Sequence, residues 1–396
     1  MRVPTFQTSR TQLGTITARQ AEQARLQSQI ASGLRVQKPG DDPAAAAQAE
    51  LARSRLAHLA QDQRATQLAT SVLSTADGAL SQGVDLLQSA REAIVAAGDG
   101  AYNAVDRQAL ALTLRNTRAQ LLQVANSSDG AGGWVFGGQG SQAAPFSGDA
   151  APAYGPAAGH QGIGEQGSYD ATVDGRAVFL AIPQGNGVFT TASATGNTGG
   201  GWIDSGSVTD ATQLTGHTYS LTMGGTSTAP TYTVTDTVTG TALASNQPFT
   251  AGAPIEIDGQ RVKLSGTPAP GDTFTLGPAG SQSVFATLDQ AIALLEGSPT
   301  AAGYNEGMER AHSSLDRALD GMTLSRTRVG EAMRGVQAHA DGNDQEKIGV
   351  TTRRSGLQDL DLAQAISDLQ SSQASSQAAL QLYATSSRKS LFDFLG

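Results

Sequence analysis

Five histidines, His58, His160, His217, His312 and His339, are the side chains best suited to metal or acid–base chemistry in this chain. No two stand three or four apart, so no helix can present a chelating pair. His58 and His312 fall in helical segments, where packing or solvation is the ordinary role. Asp41-Asp42 is a possible carboxylate pair for a metal or for catalysis. Pro43 follows at once, however, and an acid before a first-turn proline is a helix cap. Asp359 and Asp361 read the same way, as cap and first-turn carboxylates. Gly132–Gly138 superficially suggests a phosphate loop, but it lacks the Lys-Ser/Thr ending and opens no helix. No Gly-x-Ser-x-Gly elbow occurs. The chain has no Cys, which removes disulfides, cysteine nucleophiles and cysteine-ligated zinc. No catalytic, cofactor-binding or metal residue is nominated, and no cofactor is expected. An enzyme is the disfavoured class.

The elements that would have to position a site divide the chain in three. Residues 1–128 and 284–395 carry apolar side chains at helical spacing, whereas 141–283 is rich in Gly, Thr, Ser and Asp. With 396 residues, the chain is long for one ordinary domain. Aromatics are only 5%, so the core must be built largely from Ala, Leu, Val and Ile, which suits thin helical layers. The net charge of −9 argues against nucleic acid as a partner. No apolar run of about 18 residues exists, so no membrane insertion by a helix is expected. The start, Met1-Arg2-Val3-Pro4-Thr5-Phe6, has no apolar h-region, which predicts that the general secretory route is not used. The acidity is concentrated in 141–283, where Arg176, Arg261 and Lys263 face ten acids. That segment is therefore taken as solvent-facing.

Residues 1–35 predict a weakly amphipathic helix with Leu13, Ile16, Ile30 and Leu34 on one stripe and Phe6 seven before Leu13. Gln20, Gln23 and Gln27 interrupt the stripe, so the helix is marginal alone. Residues 43–97 predict one long helix. Ala52, Leu59, Thr66, Leu73, Leu80, Leu87 and Ile94 recur every seven residues, with Ala65, Val72, Ala79, Leu86 and Ala93 beside them. The two stripes make the broad face of a bundle helix, roughly 80 Å long at about 1.5 Å per residue. Gly98-Asp99-Gly100 ends it. A second helix over 106–127 carries Leu110, Leu114, Leu121 and Val124. Glycines then surround Trp134-Val135-Phe136, read as a short apolar strand that docks on a core.

In the middle segment, Tyr169–Val173 and Arg176–Ile182 flank Asp174-Gly175, and Glu256–Ile257 and Arg261–Leu264 flank Asp258-Gly259. Asp-Gly between alternating runs is a strong hairpin signal. Tyr219–Met223, Thr231–Thr237 and Thr273–Leu276 add strands, which together predict an antiparallel β body with one wet face. Helix returns near Val284 and runs to Gly297-Ser298-Pro299. A longer helix over 304–340 places Met308, Leu315, Met322, Val329 and Val336 seven apart, the period of residues 52–94, so the two are natural partners.

The last helix, 358–387, carries Leu362, Ile366, Leu369, Leu380 and Tyr383 on one stripe, interrupted by Gln373 and Ser376. Residues 1–40 hold six bases and only Glu22 as an acid, while 355–387 holds Asp359, Asp361 and Asp368 and no base. The terminal helices are therefore expected to pair, and to order fully only when further subunits bury their thin stripes. The ending Leu391-Phe392-Asp393-Phe394-Leu395-Gly396 is either tucked into its own core or docks on another subunit, and its place after a polar helix favours docking.

Ser32-Gly33-Leu34-Arg35-Val36-Gln37-Lys38-Pro39-Gly40-Asp41-Asp42-Pro43 closely resembles the N-terminal signature of the flagellin superfamily. Pro39 and Pro43 follow the pattern of its hook-associated protein 3 branch, where true flagellins follow the acids with Ala. Further resemblances lie in Leu121-Leu122-Gln123-Val124-Ala125-Asn126-Ser127-Ser128-Asp129-Gly130, Trp134-Val135-Phe136-Gly137-Gly138 and Ala144-Pro145-Phe146. Gly266-Thr267-Pro268-Ala269-Pro270-Gly271-Asp272-Thr273-Phe274 is similar to the end of the β domain in these axial proteins. Asp359-Leu360-Asp361-Leu362-Ala363-Gln364-Ala365-Ile366 and Leu391-Phe392-Asp393-Phe394-Leu395 complete the set. Trp134 stands where the family often has Tyr. The resemblance covers both arms, and it touches the middle only at its edges.

The resemblance implies an extracellular structural protein, exported unfolded by the flagellar type III apparatus with an export chaperone. It would form a ring of copies of itself at the hook–filament junction, between the first hook-associated protein and flagellin. The expected fold is α+β and multidomain, a long helical bundle and coiled coil formed by both chain ends with an inserted antiparallel β domain. Residues 1–42 and 345–396 would be the inner assembly region, 43–140 and 284–344 a helical bundle domain, and 141–283 the outer β domain. The expected subunit interface is Phe6, Leu13, Ile16, Ile30, Leu34, Arg35, Leu362, Ile366, Leu369, Leu380, Tyr383, Leu391 and Phe394. The competing classes are a flagellin-type filament subunit and a surface adhesin whose Thr-rich β body binds glycan or host protein.

Overall fold

The computed structural model describes residues 5–98, 102–130, 132–137, 143–148, 153–155, 161–162, 168–169, 173–297 and 299–395. The expectations on Met1–Pro4, Asp99-Gly100, Gly138, His160, Asp170–Thr172 and Ser298 fall outside them. The long helices are α1 (Thr5–Ser32), α2 (Pro43–Ala97) and α3 (Ala104–Ala125) in the first arm. A short α4 (Gly175–Phe179) lies in the middle segment, and α5 (Val284–Glu296), α6 (Ala301–Gln358) and α7 (Leu362–Leu395) form the second arm. Helical ends flank an antiparallel β body, as the sequence predicts. The chain divides into two compact units, Met1–Arg64 with His339–Gly396, and Ala65–Ala338. The boundaries fall inside α2 and α6, where the sequence places its own at 42 and 345.

The Ala65–Ala338 unit has a helical core built on the seven-residue stripes. Leu73, Leu80, Leu87 and Ile94 of α2 are buried, as are Met308, Leu315, Met322, Val329 and Val336 of α6. Ion pairs lock the antiparallel register of these helices: Arg91 Nε meets Asp316 Oδ1 at 2.7 Å and Arg326 Nε meets Asp77 Oδ1 at 3.0 Å. Gly83 admits α6 closely, since a Cβ there would lie 3.0 Å from the Met322 sulfur. Helix α3 opens on a capping box between Asn103 and Asp106, packs on α5, and pairs Arg118 with Asp289 and Arg115 with Glu296.

Val135 and Phe136 are fully buried in this core, so the apolar segment docks as expected, although it forms a bridge and turn rather than a strand. Phe136, Phe146, Phe179 and Phe285 make an aromatic cluster with ring centroids 5.1–6.1 Å apart. The Asn126 amide exchanges two bonds with the Phe146 main chain, at 2.9 and 3.0 Å, and a short pairing of β1 (Phe146–Ser147) with β2 (Ala153–Tyr154) follows. A further two-residue pair joins β3 (Gln161–Gly162) and β4 (Ser168–Tyr169).

Asp174-Gly175 is not a hairpin. The Asp174 carboxylate accepts from Arg176 N at 2.9 Å and caps α4, which drives Val178 and Phe179 into the helical core. Gly175 sits where a Cβ would lie 2.8 Å from the Phe136 carbonyl oxygen, so the glycine serves close packing rather than a turn. Asp258-Gly259 is the expected hairpin. With φ of 43° and 76° it joins β12 (Pro254–Ile257) to β13 (Gln260–Ser265), Ile257 facing Gln260.

The β body is a sandwich. One sheet has the order β11 (Ala242–Pro248), β10 (Ala229–Asp236), β9 (Tyr219–Thr226), β14 (Thr273–Pro278), β6 (Phe189–Ser193). The other joins β12, β13 and β7 (Trp202–Ile203), with β8 (Ser207–Val208) also on β13. Between them lie Phe189, Ile203, Tyr219, Leu221, Met223, Val234, Ile257, Val262, Leu264, Phe274 and Leu276. The opposite face of the larger sheet is a hydroxyl array, with Thr273 opposite Thr222 and Thr222 opposite Thr233. This is the wet face expected of alternating Thr. Asp272, buried in the resemblance motif, accepts from Thr198 N and Ala269 N at 2.8 Å and pins the loop between β6 and β7.

Candidate subunit interface

The Met1–Arg64 and His339–Gly396 unit holds the terminal helices. Their pairing is antiparallel: Leu34 bridges Asp359 at one end, and Arg19 Nη1 reaches the Ser375 carbonyl at 2.8 Å farther along. Helix α1 ends on Gly33 at φ +69°, the left-handed position that favours glycine. Leu360 N then donates to Gly33 O at 2.9 Å and Arg35 N to Gln358 O at 2.7 Å. The Arg35 guanidinium spans the clasp, bonding Leu357 O at 2.7 Å and approaching Asp42 at 3.5 Å.

Each acid of this motif serves a local task. Asp41 accepts from Gln37 N and Lys38 N at 3.0 and 2.9 Å, bonds that hold its carboxyl below the usual range. Asp42 accepts from Ala45 N at 3.0 Å and caps α2, and that bond lowers its carboxyl too. Asp361 accepts from Ala363 N and Gln364 N at 3.0 and 3.1 Å and caps α7. Asp42 and Asp361 are thus the expected helix caps, whereas Asp41 closes the turn at Gln37–Lys38 and Asp359, just past the end of α6, accepts from the Ser355 hydroxyl rather than capping α7. Val36 is buried inside the clasp, and the Gln29 amide, also buried, donates to Arg35 O at 2.6 Å.

The seam between α1 and α7 takes only part of the Leu/Ile stripe. Helix α7 buries Ala365 and Ser376 and half-buries Leu369, Ser372, Ala379 and Tyr383, a stripe at spacings of three and four built mostly from small residues. Helix α1 buries Ile16, Leu26 and Gln29, with Gln12, Gln23 and Ile30 half-buried. Of the apolar residues the sequence singles out, Ile16, Ile30, Leu369 and Tyr383 thus enter the seam, while Leu13 is 47% exposed, Leu362 50%, Ile366 46% and Leu380 44%. Leu34 is half-buried and Arg35 exposed. The side chains of Phe6, Leu391 and Phe394 lie outside the described ones.

At about 100° per residue, Leu362, Ile366 and Leu380 flank the buried stripe of α7 on one side. Because the helices are antiparallel, Leu13 of α1 flanks its own buried stripe on that same side. The pair thus presents two adjoining helical ridges with exposed apolar side chains. Nothing in composition or charge signals the small-residue seam. The seven-residue spacing of Ala365, Ser372 and Ala379 is its trace in the sequence, overshadowed by the larger side chains beside it.

In the same unit α2 buries Ala45, Ala49, Ala52 and Leu59. The Arg55 guanidinium grips Glu346 of α6 at 2.6 and 2.8 Å, which lowers the Glu346 carboxyl. Helix α6 runs on to Gln358, where the sequence predicts an end near 340. The segment is polar and lacks an apolar stripe, and its contacts with α2 are polar: the Arg55–Glu346 ion pair and the bond from Lys347 to the Gln63 side chain at 3.4 Å.

No group of three His, Asp or Glu poised for a metal occurs among the described residues. His217 Nδ1 bonds Asp236 at 2.8 Å and His312 Nε2 lies 3.6 Å from Asp316. No described helix is long and apolar enough to cross a membrane.

Residues 3–141 match the bacterial flagellin N-terminal helical region. The chain is 40% identical over 146 residues to flagellar hook-associated protein 3 of Salmonella typhimurium, covering 37% of this chain and 46% of that one. It thus matches less than half the length of that relative. Among solved structures, the flagellar hook-associated protein 3 of Legionella pneumophila aligns over 78% of this chain and 98% of its own, with 26% identity and a TM-score of 0.73. The flagellar junction protein FlgL of the same organism aligns over 79% and 100%, with 26% identity and a TM-score of 0.69. The resemblance carried by the sequence motifs holds: the chain is similar to flagellar hook-associated protein 3, and the likeness in fold extends well beyond the N-terminal arm.

Proposed function

We propose that this chain, similar to hook-associated protein 3 of the flagellin superfamily, is a non-enzymatic structural subunit of the bacterial flagellum. It forms the adaptor ring at the hook–filament junction, joining the first hook-associated protein to flagellin. It works outside the cell after unfolded export by the flagellar type III apparatus, with a chaperone guarding its apolar ends before export. The mechanism is helix packing between copies, with no reaction. Residues 1–42 and 345–396 form the inner assembly region, 43–140 and 284–344 the bundle, and 141–283 the outer decoration.

One observation carries this reading. The α1–α7 pair is closed by the Ser32–Pro43 clasp, yet leaves Leu13, Leu362, Ile366 and Leu380 open along one side. Two adjoining helices with an exposed apolar side fit a third helix from another copy. Deleting the gene tests the proposal: hooks should lack filaments and flagellin should leak into the medium. Normal filaments on the deletion strain would overturn it.

A further inference from the structure

The β sandwich and the helical body of the Ala65–Ala338 unit have separate apolar cores. The chain passes between them on two strands only. Here β5 (Ile182–Pro183) pairs with β15 (Ser281–Gln282), and β6 pairs with β14. Between these ladders the chain makes a turn, Gln184–Val188, spanned by Gln184 N to Gly280 O and Ala279 N to Val188 O, both 2.9 Å. Asn186 holds the turn, its Oδ1 accepting from Val188 N and Phe189 N at 3.0 Å. A two-stranded ribbon twists more readily than a wide sheet.

Beyond this neck, Glu306 of α6 ties the sandwich to the helical body. It is 6% exposed, accepts from Ser193 N at 3.0 Å, and also bonds the Ser193 hydroxyl and the Arg310 guanidinium. Ser193 is the last residue of β6, an edge strand, so Glu306 satisfies an edge N–H that would otherwise face solvent or another chain. Beside Glu306 opens a cleft of about 820 Å³ lined by Ala194 and Thr198 on the sandwich side and Leu294, Thr300 and Gly307 on the helical side. Space stands next to the tie where a shared apolar core would otherwise be.

We propose that the sandwich pivots on the two-stranded neck and that Glu306 is the latch holding it at the angle that keeps the cleft open. The turn of the neck is itself held to α6 by the Ser313 hydroxyl, which donates to Gly185 O at 2.7 Å. Beyond that pivot, charge-assisted bonds to Glu306 fix the angle, and release of the latch lets the sandwich rotate toward the cleft. The device belongs to the isolated chain, so its test does not depend on the assembly role.

The chain has no native cysteine, so Gln88→Cys and Ser245→Cys give two unique spin-label sites, one on each body. In the otherwise native chain the inter-label distance distribution should be single and narrow. Glu306→Ala should broaden it about twofold as released orientations become populated. Glu306→Gln keeps an acceptor for Ser193 N–H but loses the charge facing Arg310, and should broaden it less. The surface change Glu331→Gln should leave it unchanged. Distributions of native width in both Glu306 variants, with native circular dichroism, would overturn the latch. So would a native distribution already as broad as that of Glu306→Ala. Should Glu306→Ala fail to fold, the near-isosteric Glu306→Gln decides alone.

Discussion

Leu34 and Asp359 form an antiparallel bridge that brings the two arms of the chain together at the point where α1 ends and α7 is about to begin. Two of the resemblance motifs, Ser32–Pro43 and Asp359–Ile366, meet there. Removing the Arg35 guanidinium takes away its bond to Leu357 O and its approach to Asp42. Arg35→Ala should destabilise the terminal unit by about 1 kcal/mol, seen as faster amide exchange in α1 and α7 with exchange in α3 and α5 unchanged.

Gly33→Ala should cost about 1–2 kcal/mol from backbone conformation alone. With φ at +69° and no neighbouring atom within 4 Å of where the new methyl would stand, no clash contributes. Gly33→Asn, which tolerates the left-handed region better, should recover part of the loss in a denaturant titration.

Neighbouring positions on α7 should give opposite phenotypes. Ile366→Asp alters an exposed side chain and should change monomer stability by less than about 0.5 kcal/mol, while blocking incorporation into flagella. Ala365→Asp puts a charge into the buried seam and should cost about 3 kcal/mol, separating α1 from α7 in the monomer itself. Normal incorporation of Ile366→Asp would remove Leu362, Ile366 and Leu380 from the proposed contact between copies.

The sandwich should weaken in acid. Burial pushes the Asp236 carboxyl up, but bonds from His217, the Thr239 hydroxyl and the Val238 and Thr239 main chain outweigh it and bring it from 3.8 down to about 2. A carboxyl lowered on folding contributes fully above its unfolded value and loses that contribution as pH falls through the folded one. Stability should therefore decline between about pH 4 and pH 2. Thermal melts over that range should show a smaller decline in Asp236→Asn, which is less stable at neutral pH.

Truncating the shared helical core should be costly. Leu315 is fully buried, so Leu315→Ala should destabilise the Ala65–Ala338 unit by about 2–5 kcal/mol. Calorimetry would resolve this as a lowered transition.

The long helices are legible because a seven-residue period over many turns has no other physical reading. Leu59, Leu73, Leu80, Leu87 and Ile94 are all buried, and Pro43 opens α2 as expected. Asp258-Gly259 is legible because left-handed backbone is needed at both of its positions. Asp174-Gly175 has the same two letters, but long-range packing against Phe136 decides its conformation, and no local signal reports that. The terminal pairing is expected from opposite charge and thin stripes, yet Arg19 crosses it to the Ser375 carbonyl rather than to an acid, and the α7 side of the seam is mostly Ala and Ser, which carry little hydrophobic signal. Glu306 is invisible in the sequence for a related reason: an acid on a helix reads as solvated until a partner from another element is placed against it.

The neck of the β sandwich has a consequence for descent. A module joined at two adjacent strands can lengthen, shrink or be replaced without disturbing the heptads that flank it. Related chains could thus diversify their outer surface rapidly while the helical arms change slowly. A chain in which a short Gly-rich loop replaces residues 189–278 should still fold its helical arms, and circular dichroism with proteolysis of that deletion would show whether the cassette is separable.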